Sequence, residues 1–326
     1  MKKIFVTRKI PDNGLAMLRD AGLVLTVSEK PRPLTKRELI KALRTENYNG
    51  VMSLLTDTID AEVMDAAPTV KIFANFAVGY NNIALPEARK RGVTITNTPG
   101  ASTESVSEFT LALILNIARR VNEGDRFVRA GKFKGWGPPM FGRDIKGMTL
   151  GIVGSGRIGA EVAKKALRGF EMQVVYYDVV RNEALEKEYG ARFVPTVEEL
   201  LRMADVVSLH VPLLDSTRHL MNAERLRFMK KTAYLVNTSR GPVIDENALV
   251  DALRDGVIAG AALDVFEFEP KLTKGLAKLE NVVLTPHIAA GTEIARQEMA
   301  RLAAGNLVAF FGGKTPPNII HILPSA

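Results

Sequence analysis

The sequence predicts an α/β protein of about two domains, each a parallel sheet covered by helices, the second of them a doubly wound nucleotide-binding sheet. Three observations carry that expectation. Short β-rich runs alternate with helical runs in two successive series. A length of 326 residues exceeds one domain of roughly 100–200 residues. A Gly-x-Gly-x-x-Gly pattern at 154–159 directly follows a strand-like run at the head of the second series.

In the first series, residues 4–7 read as a strand and 14–21 as a helix, and 23–27 with 35–43 repeat the pair. Residues 51–55 read as a buried strand, 61–67 as a helix, 71–74 as a strand, 85–91 as a helix that Gly92 ends, and 93–96 as a strand. Four or five such β-α units imply a parallel sheet. Residues 102–129 break the rhythm. Nearly unbroken apolar character over 109–117, too short for a membrane, predicts one long helix buried between layers or at a subunit contact. Past Trp136, Pro138 and Pro139 mark a loop, and the second series begins at Met148 with strands at 149–153, 173–177, 206–211, 233–237, 259–265 and 282–285. Thr196 and Glu199 form a capping-box signal ahead of Leu200 and Leu201, and Gly256 closes a helix over 247–254. Six strands suffice for a doubly wound sheet.

The hydrophobic fraction of 46% and charged fraction of 25% lie in the globular range and exclude disorder for most of the chain. Without cysteine there are no disulfides, thiolate nucleophiles or zinc–thiolate sites, and no metal site is assigned. The net charge of +8 raises the question of a polyanion partner. The densest basic stretch, 32–44, is interrupted by Pro33, Leu34, Leu39 and Ile40, which reads as an amphipathic helix with a solvated face, so no nucleic-acid partner is expected. No segment supplies the 18 or more apolar residues of a membrane span, and the N-terminal apolar run is too short for a signal peptide. A soluble, cytoplasmic protein without a membrane partner is the expectation.

Within Gly154-Ser155-Gly156-Arg157-Ile158-Gly159, Gly154 permits the tight turn, Gly156 lets backbone amides approach a pyrophosphate, and Gly159 allows close helix-to-strand packing. Asp178 stands 19 residues beyond Gly159, at the end of the next strand. Its carboxylate suits a ribose diol and would repel a 2′-phosphate, which favours NAD; Arg181, three residues on, could accommodate that phosphate and leaves NADP as the alternative.

Ligands of open α/β sheets bind at the carboxyl ends of strands. The polar residues ending the second series are Asp178, His210, Asn237 to Arg240, Asp264 and His287. Beside a nicotinamide, reduction of a 2-oxo acid demands a cation for the carboxylate, polarisation of the carbonyl and a proton for the developing alkoxide. Arg240, after a strand and turn, suits a carboxylate bidentately. His287, in Thr285-Pro286-His287, is the candidate acid. His219 and His321 lie in polar or terminal contexts, and His210, before Pro212, suits adenine-side packing better. Either Glu269 or Glu267 could accept the second imidazole proton, and spacing alone does not choose.

The segments Ala77-Val78-Gly79-Tyr80-Asn81-Asn82-Ile83, Asn97-Thr98-Pro99, the glycine motif, Leu209-His210-Val211-Pro212, 236–241, 263–270 and Thr285-Pro286-His287 appear in an order that resembles, nearly end to end, the D-isomer-specific 2-hydroxyacid dehydrogenases. The resemblance implies a Rossmann-type sheet, residues 100–288, inserted into a flavodoxin-like α/β substrate domain formed by 1–99 and 289–326. It implies a catalytic triad of Arg240, Glu269 and His287, with the amides of Val78 and Gly79 joining Arg240 at the substrate carboxylate and Leu54 contacting the substrate. Cofactor contacts carry over to Thr103, Gly154, Ser155, Gly156, Arg157, Ile158, Gly159, Asp178, His210, Val211, Pro212, Thr238, Ser239, Arg240, Asp264, His287 and Ala289. A homodimer built through 100–145 is implied as well. Within the family, Leu54-Leu55-Thr56-Asp57, Asn75 to Tyr80 and the loop around Trp136 resemble the branch that reduces glyoxylate or hydroxypyruvate to the D-2-hydroxy acid. D-lactate or 2-ketogluconate chemistry, or an NAD-sensing corepressor-like binding role on the same fold, are the alternatives. Two positions depart from the family pattern: Ser155 replaces the usual aliphatic residue between the glycines, and Asp178 replaces the cation-rich pattern of NADP-preferring members.

Overall fold

The computed structural model describes residues 1–137 and 140–320. The chain forms two compact units, Met1–Ser102 joined by the chain from Gly291, and Thr103–Ala290. The second unit is therefore an insertion in the first.

In the first unit β1 (Lys3–Val6), β2 (Val24–Val27), β3 (Gly50–Leu54), β4 (Ile72–Phe76) and β5 (Thr94–Thr96) pair in parallel in the order β2-β1-β3-β4-β5. That is the flavodoxin order. The returning helix Glu293–Phe311 covers one face with Met299, Ala300, Ala303, Ala304 and Leu307 against Ile4, Val6 and Leu18. Its alanines permit close approach, and a Cβ on Gly14 would lie 2.9 Å from Ala300. On the other face Leu39, Leu43, Val63 and Phe73 form a second core. Helix Lys36–Leu43 starts at a complete capping box, Thr35 with Glu38. The basic stretch ahead of it is ion-paired, with Lys30 and Arg32 on Glu38 and Lys36 on Asp60 and Glu62.

In the second unit β6 (Thr149–Val153), β7 (Gln173–Tyr177), β8 (Arg192–Phe193), β9 (Val206–Leu209), β10 (Tyr234–Asn237), β11 (Gly260–Leu263) and β12 (Val282–Leu284) run in the order β12-β11-β10-β9-β6-β7-β8. The order reverses between β6 and β9, the switch point where a doubly wound sheet opens a crevice. Among the described residues seven strands form where six are expected; β8 has two residues, too few to show a period of two.

The single helix expected over 102–129 is two helices, Thr103–Arg119 and Val121–Arg129, separated by Arg120 at φ +56°. The first buries Leu111, Leu113, Ile114 and Ile117; the second buries none of its residues. The break is held by side chains: the Asn122 amide donates to Asn116 Oδ1 at 2.9 Å, and Arg120 donates twice to Glu123. Only one arm of the expected capping box at Thr196 forms, Glu199 N to Thr196 Oγ1 at 3.2 Å; the Glu199 carboxylate faces Arg192 at 3.9 Å instead. The loop expected at Pro138 and Pro139 and the terminal His321 lie outside the described residues. Among the described residues no helix is long and apolar enough to cross a membrane, and no three metal-ligating side chains converge.

Candidate active site

The carboxyl ends of β6, β7, β9, β10, β11 and β12 carry the chemistry-bearing residues of the second unit. After β6, Gly154 adopts φ +96°, a conformation that favours glycine. A Cβ on Gly159 would sit 2.0 Å from the Gly154 carbonyl oxygen, so helix and strand touch here only without a side chain. At Gly156 a Cβ would meet nothing within 4 Å. Helix Arg157–Phe170 has no side-chain cap, and among the described residues the amides of Gly156, Arg157 and Ile158 donate no hydrogen bond. Open space beside uncommitted donors at a helix start fits a pyrophosphate. Asp178, after β7, accepts from Ser155 N at 2.6 Å and Ser155 Oγ at 3.1 Å, both on Oδ2.

His210, after β9, exchanges a hydrogen bond with Ser208 Oγ through Nε2 at 2.8 Å, and burial pushes its imidazole down to about 3. It is neutral near pH 7 and supplies no proton. Val211 and Pro212 follow on the same loop; the Val211 side chain and the His210 carbonyl both stand within about 3 Å of a Cβ built on Gly154. After β10, Ser239 donates through N and Oγ to Asn237 Oδ1, while Asn237 Nδ2 donates to the Arg240 carbonyl at 2.9 Å. This side-chain-closed turn presents Arg240. The Thr238 hydroxyl pairs with the Thr110 hydroxyl at 2.9 Å. Burial pushes the Arg240 guanidinium down, and the Glu269 charge opposes that shift.

Asp264, fully buried after β11, accepts from Thr285 Oγ1 at 2.7 Å, Ile288 N at 2.9 Å and Ala289 N at 2.8 Å. It thereby holds the loop in which His287 takes a left-handed φ of +54°. Nδ1 of His287 donates to Glu269 Oε2 at 3.0 Å, and Glu269 Oε1 accepts the Phe266 amide at 2.9 Å. Burial raises the Glu269 carboxyl, but the His287 hydrogen bond and charge outweigh it and leave the group below its ordinary value.

Glu267 has its own partner. His219 Nε2 meets Glu267 Oε1 at 2.6 Å, and Oε2 accepts the Glu246 amide. Glu246 in turn accepts Glu267 N at 2.7 Å and Thr273 Oγ1 at 2.6 Å, with burial pushing its carboxyl up. The two glutamates that spacing leaves equivalent are thus divided between two histidines. Sequence reasoning did not single out Glu246, and it set His219 aside. The one local signal is the pair of carboxylates flanking Phe268; the rest is tertiary.

Thr103 opens helix Thr103–Arg119. In the first unit Leu54, nearly buried, ends β3, and its amide donates to Asp57 Oδ2 at 2.8 Å. The carbonyls of Val78 and Gly79 accept from Asn97 and Asn75, whereas among the described residues their amides donate no hydrogen bond. A fixed backbone with two uncommitted N–H groups suits an anion.

The profile of the D-isomer specific 2-hydroxyacid dehydrogenase NAD binding domain matches residues 111–289. A glyoxylate reductase of Korarchaeum cryptofilum is 51% identical over 322 residues, 98% of this chain and 96% of that one. The crystal structure of the TT0316 protein from Thermus thermophilus superposes with a TM-score of 0.90 at 44% identity, covering 98% of this chain and all of that one. An NADPH-dependent glyoxylate/hydroxypyruvate reductase of Sinorhizobium meliloti, solved with NADP and malonate, gives a TM-score of 0.84 at 31% identity over 98% and 96% of the two chains. With the glycine turn, the strand-end arginine and the histidine–glutamate pair on one sheet edge, this chain belongs to the D-isomer-specific 2-hydroxyacid dehydrogenases, a family of NAD(P)-dependent oxidoreductases.

Proposed function

We propose that the chain reduces a small 2-oxo acid, glyoxylate or hydroxypyruvate, to the D-2-hydroxy acid. The observation that carries this reading is the His287–Glu269 pair at 3.0 Å, under the charge influence of the partly buried Arg240 guanidinium. The relatives named as glyoxylate reductases support the substrate.

When bound by the residues assigned below, NADH would supply the hydride for the substrate's 2-carbon. Arg240 binds the carboxylate and polarises the 2-oxo group; as its charge is partly desolvated, it acts more strongly on a substrate oxygen than a solvated cation would. Glu269 fixes the ring of His287 and keeps Nδ1 protonated, so the proton is delivered from Nε2 to the developing alkoxide. Asp264 holds the loop that aims the ring. Leu54 and the amides of Val78 and Gly79 are the substrate-binding groups assigned to the first unit. For the cofactor we assign the amides and glycines of 154–159, Asp178 at the adenosine ribose, and Thr103, His210 to Pro212, Thr238, Ser239, Asp264, His287 and Ala289 as further contacts. The units Met1–Ser102 with the chain from Gly291, and Thr103–Ala290, then serve as substrate and nucleotide domains.

A cytoplasmic homodimer completes the proposal. Val121, Val128, Phe133, Trp136 and Phe141 are all exposed within a short stretch of chain, the composition of a protein interface. A solution mass of twice 35.6 kDa, halved by V128D/F133D, is the expected result. Specificity constants with NADH and NADPH against glyoxylate, hydroxypyruvate, pyruvate and 2-ketogluconate test the function. Glyoxylate or hydroxypyruvate leads if the proposal holds, and H287A binds NADH but loses turnover by about two to four orders of magnitude. No turnover with any 2-oxo acid would refute an enzymatic role.

A further inference from the structure

The surroundings of Asp178 give cofactor selectivity to a side chain outside the glycine motif. Arg181 follows Asp178 by three residues, and a free guanidinium so close in the chain would suit a 2′-phosphate. It is committed elsewhere: Nη2 donates to Glu186 Oε2 at 2.5 Å, Nε donates to Oε1 at 3.1 Å, and the guanidinium lies 5.1 Å from the Phe193 ring centre. Glu186 is itself positioned, because the Tyr176 hydroxyl donates to its Oε1 at 2.6 Å while accepting the Asn182 amide at 2.9 Å. Asn182 caps helix Glu183–Tyr189 and donates through Nδ2 to the Ser155 carbonyl at 2.9 Å. An exposed ion pair alone would hold an arginine weakly. Here two donor contacts, a ring face and a buried tyrosine act together, and the helix carrying Glu186 is tied to the glycine turn.

We propose that Glu186 is a specificity-determining residue: by engaging Arg181 in a two-point contact, it leaves the Asp178 carboxylate in control of the ribose position and makes the protein select NAD over NADP. Asp178 is braced for that task by the amide and hydroxyl of Ser155, the residue that departs from the family pattern. The inference rests on the assignment of Asp178 to the adenosine ribose.

The test is equilibrium binding without substrate, followed by the fluorescence of NADH and NADPH on the purified full-length protein. Wild type is expected to bind NADPH at least about 30-fold more weakly than NADH, and E186Q to bind NADPH about tenfold more tightly than wild type with NADH within about threefold. R181A leaves the NADPH affinity unchanged in the wild-type background and cancels the gain in the E186Q background, a coupling that a merely structural Glu186 would not produce. Should E186Q fail to fold, E186D, which draws the carboxylate back by one methylene, reads the same shift. An unchanged NADPH affinity in a folded E186Q or E186D protein overturns the proposal, as does an R181A effect of equal size in both backgrounds. D178A separates the underlying assignment: unchanged NADH affinity there removes the ribose role of Asp178, whatever the Glu186 variants show.

Discussion

The sharpest test of the acid–base pair is Glu269→Gln, because the structure dictates which way the new amide faces. Oε1 must keep accepting the Phe266 amide, now at 2.9 Å, since the flipped orientation would place two N–H donors against each other. The amide nitrogen therefore points at His287 Nδ1, where a carboxylate oxygen now sits at 3.0 Å. Nδ1 then has to accept, the ring is held neutral with its proton on Nε2, and the imidazolium that donates in reduction loses its counter-charge. A charge-assisted hydrogen bond contributes about 1.5–3 kcal/mol, and at about 1.36 kcal/mol per decade this converts to a fall in kcat/KM of roughly 10- to 150-fold. In wild type the Glu269 carboxyl lies below its ordinary value, so the pair is intact above the ordinary carboxylate range and is lost only as pH falls through that lowered value. NADH oxidation by glyoxylate across pH 5–9, where the wild-type pair is intact, measures the fall, with NADH binding as the control. Glu267→Gln is the contrast: it breaks the His219 and Glu246 contacts and lowers the Tm while changing kcat/KM far less. Kinetics of Glu269→Gln within about threefold of wild type over that range would refute the assigned roles.

Three further outcomes follow from the geometry. Gly159→Ala places a Cβ 2.0 Å from a backbone oxygen and lowers both Tm and NADH affinity, whereas Gly156→Ala, which meets nothing in the protein, keeps the Tm and weakens NADH binding alone; thermal melts with cofactor titrations distinguish the two. Asp264→Asn turns an amide toward the buried Ala289 N–H or toward the Thr285 and Ile288 donors, with an expected cost of about 2–4 kcal/mol by denaturant unfolding and a fall in kcat. His210 stays neutral in the fold to about pH 3 while the unfolded chain takes up that proton near pH 6.5, so stability falls as pH drops between those values by about 1.4 kcal/mol per unit, and His210→Gln removes that one-proton slope from unfolding curves at pH 6, 5 and 4.

The regions legible in the sequence are those where one physical signal dominates. Parallel strands buried on both faces, such as 150–153 and 260–263, are continuous apolar runs, and Gly154 before helix Arg157–Phe170 and Gly159 in its first turn announce themselves because no other residue tolerates φ +96° or a 2.0 Å approach. The break at Arg120 was not legible, since apolar periodicity reports which face is buried and says nothing of one residue's φ; it is held by polar pairs that read as ordinary surface chemistry.

The strand-end rule has a sharper limit: it locates an edge without assigning the work done there. Asp178 and Asp264 both end strands, and both read alike as carboxylates for a cofactor. In the fold Asp178 keeps one oxygen for the glycine turn and, among the described residues, reaches only the Val180 amide, at 3.5 Å, with the other, while both oxygens of Asp264 hold the loop of His287. Glu267 and Glu269 differ in the same way, one closing a buried network with Glu246 and the other meeting a partly exposed imidazole. What separates the members of each pair is a partner 18 to 48 residues away, His287 for Glu269 and His219 for Glu267. A carboxylate in this fold therefore takes its role from the donor that tertiary structure delivers to it.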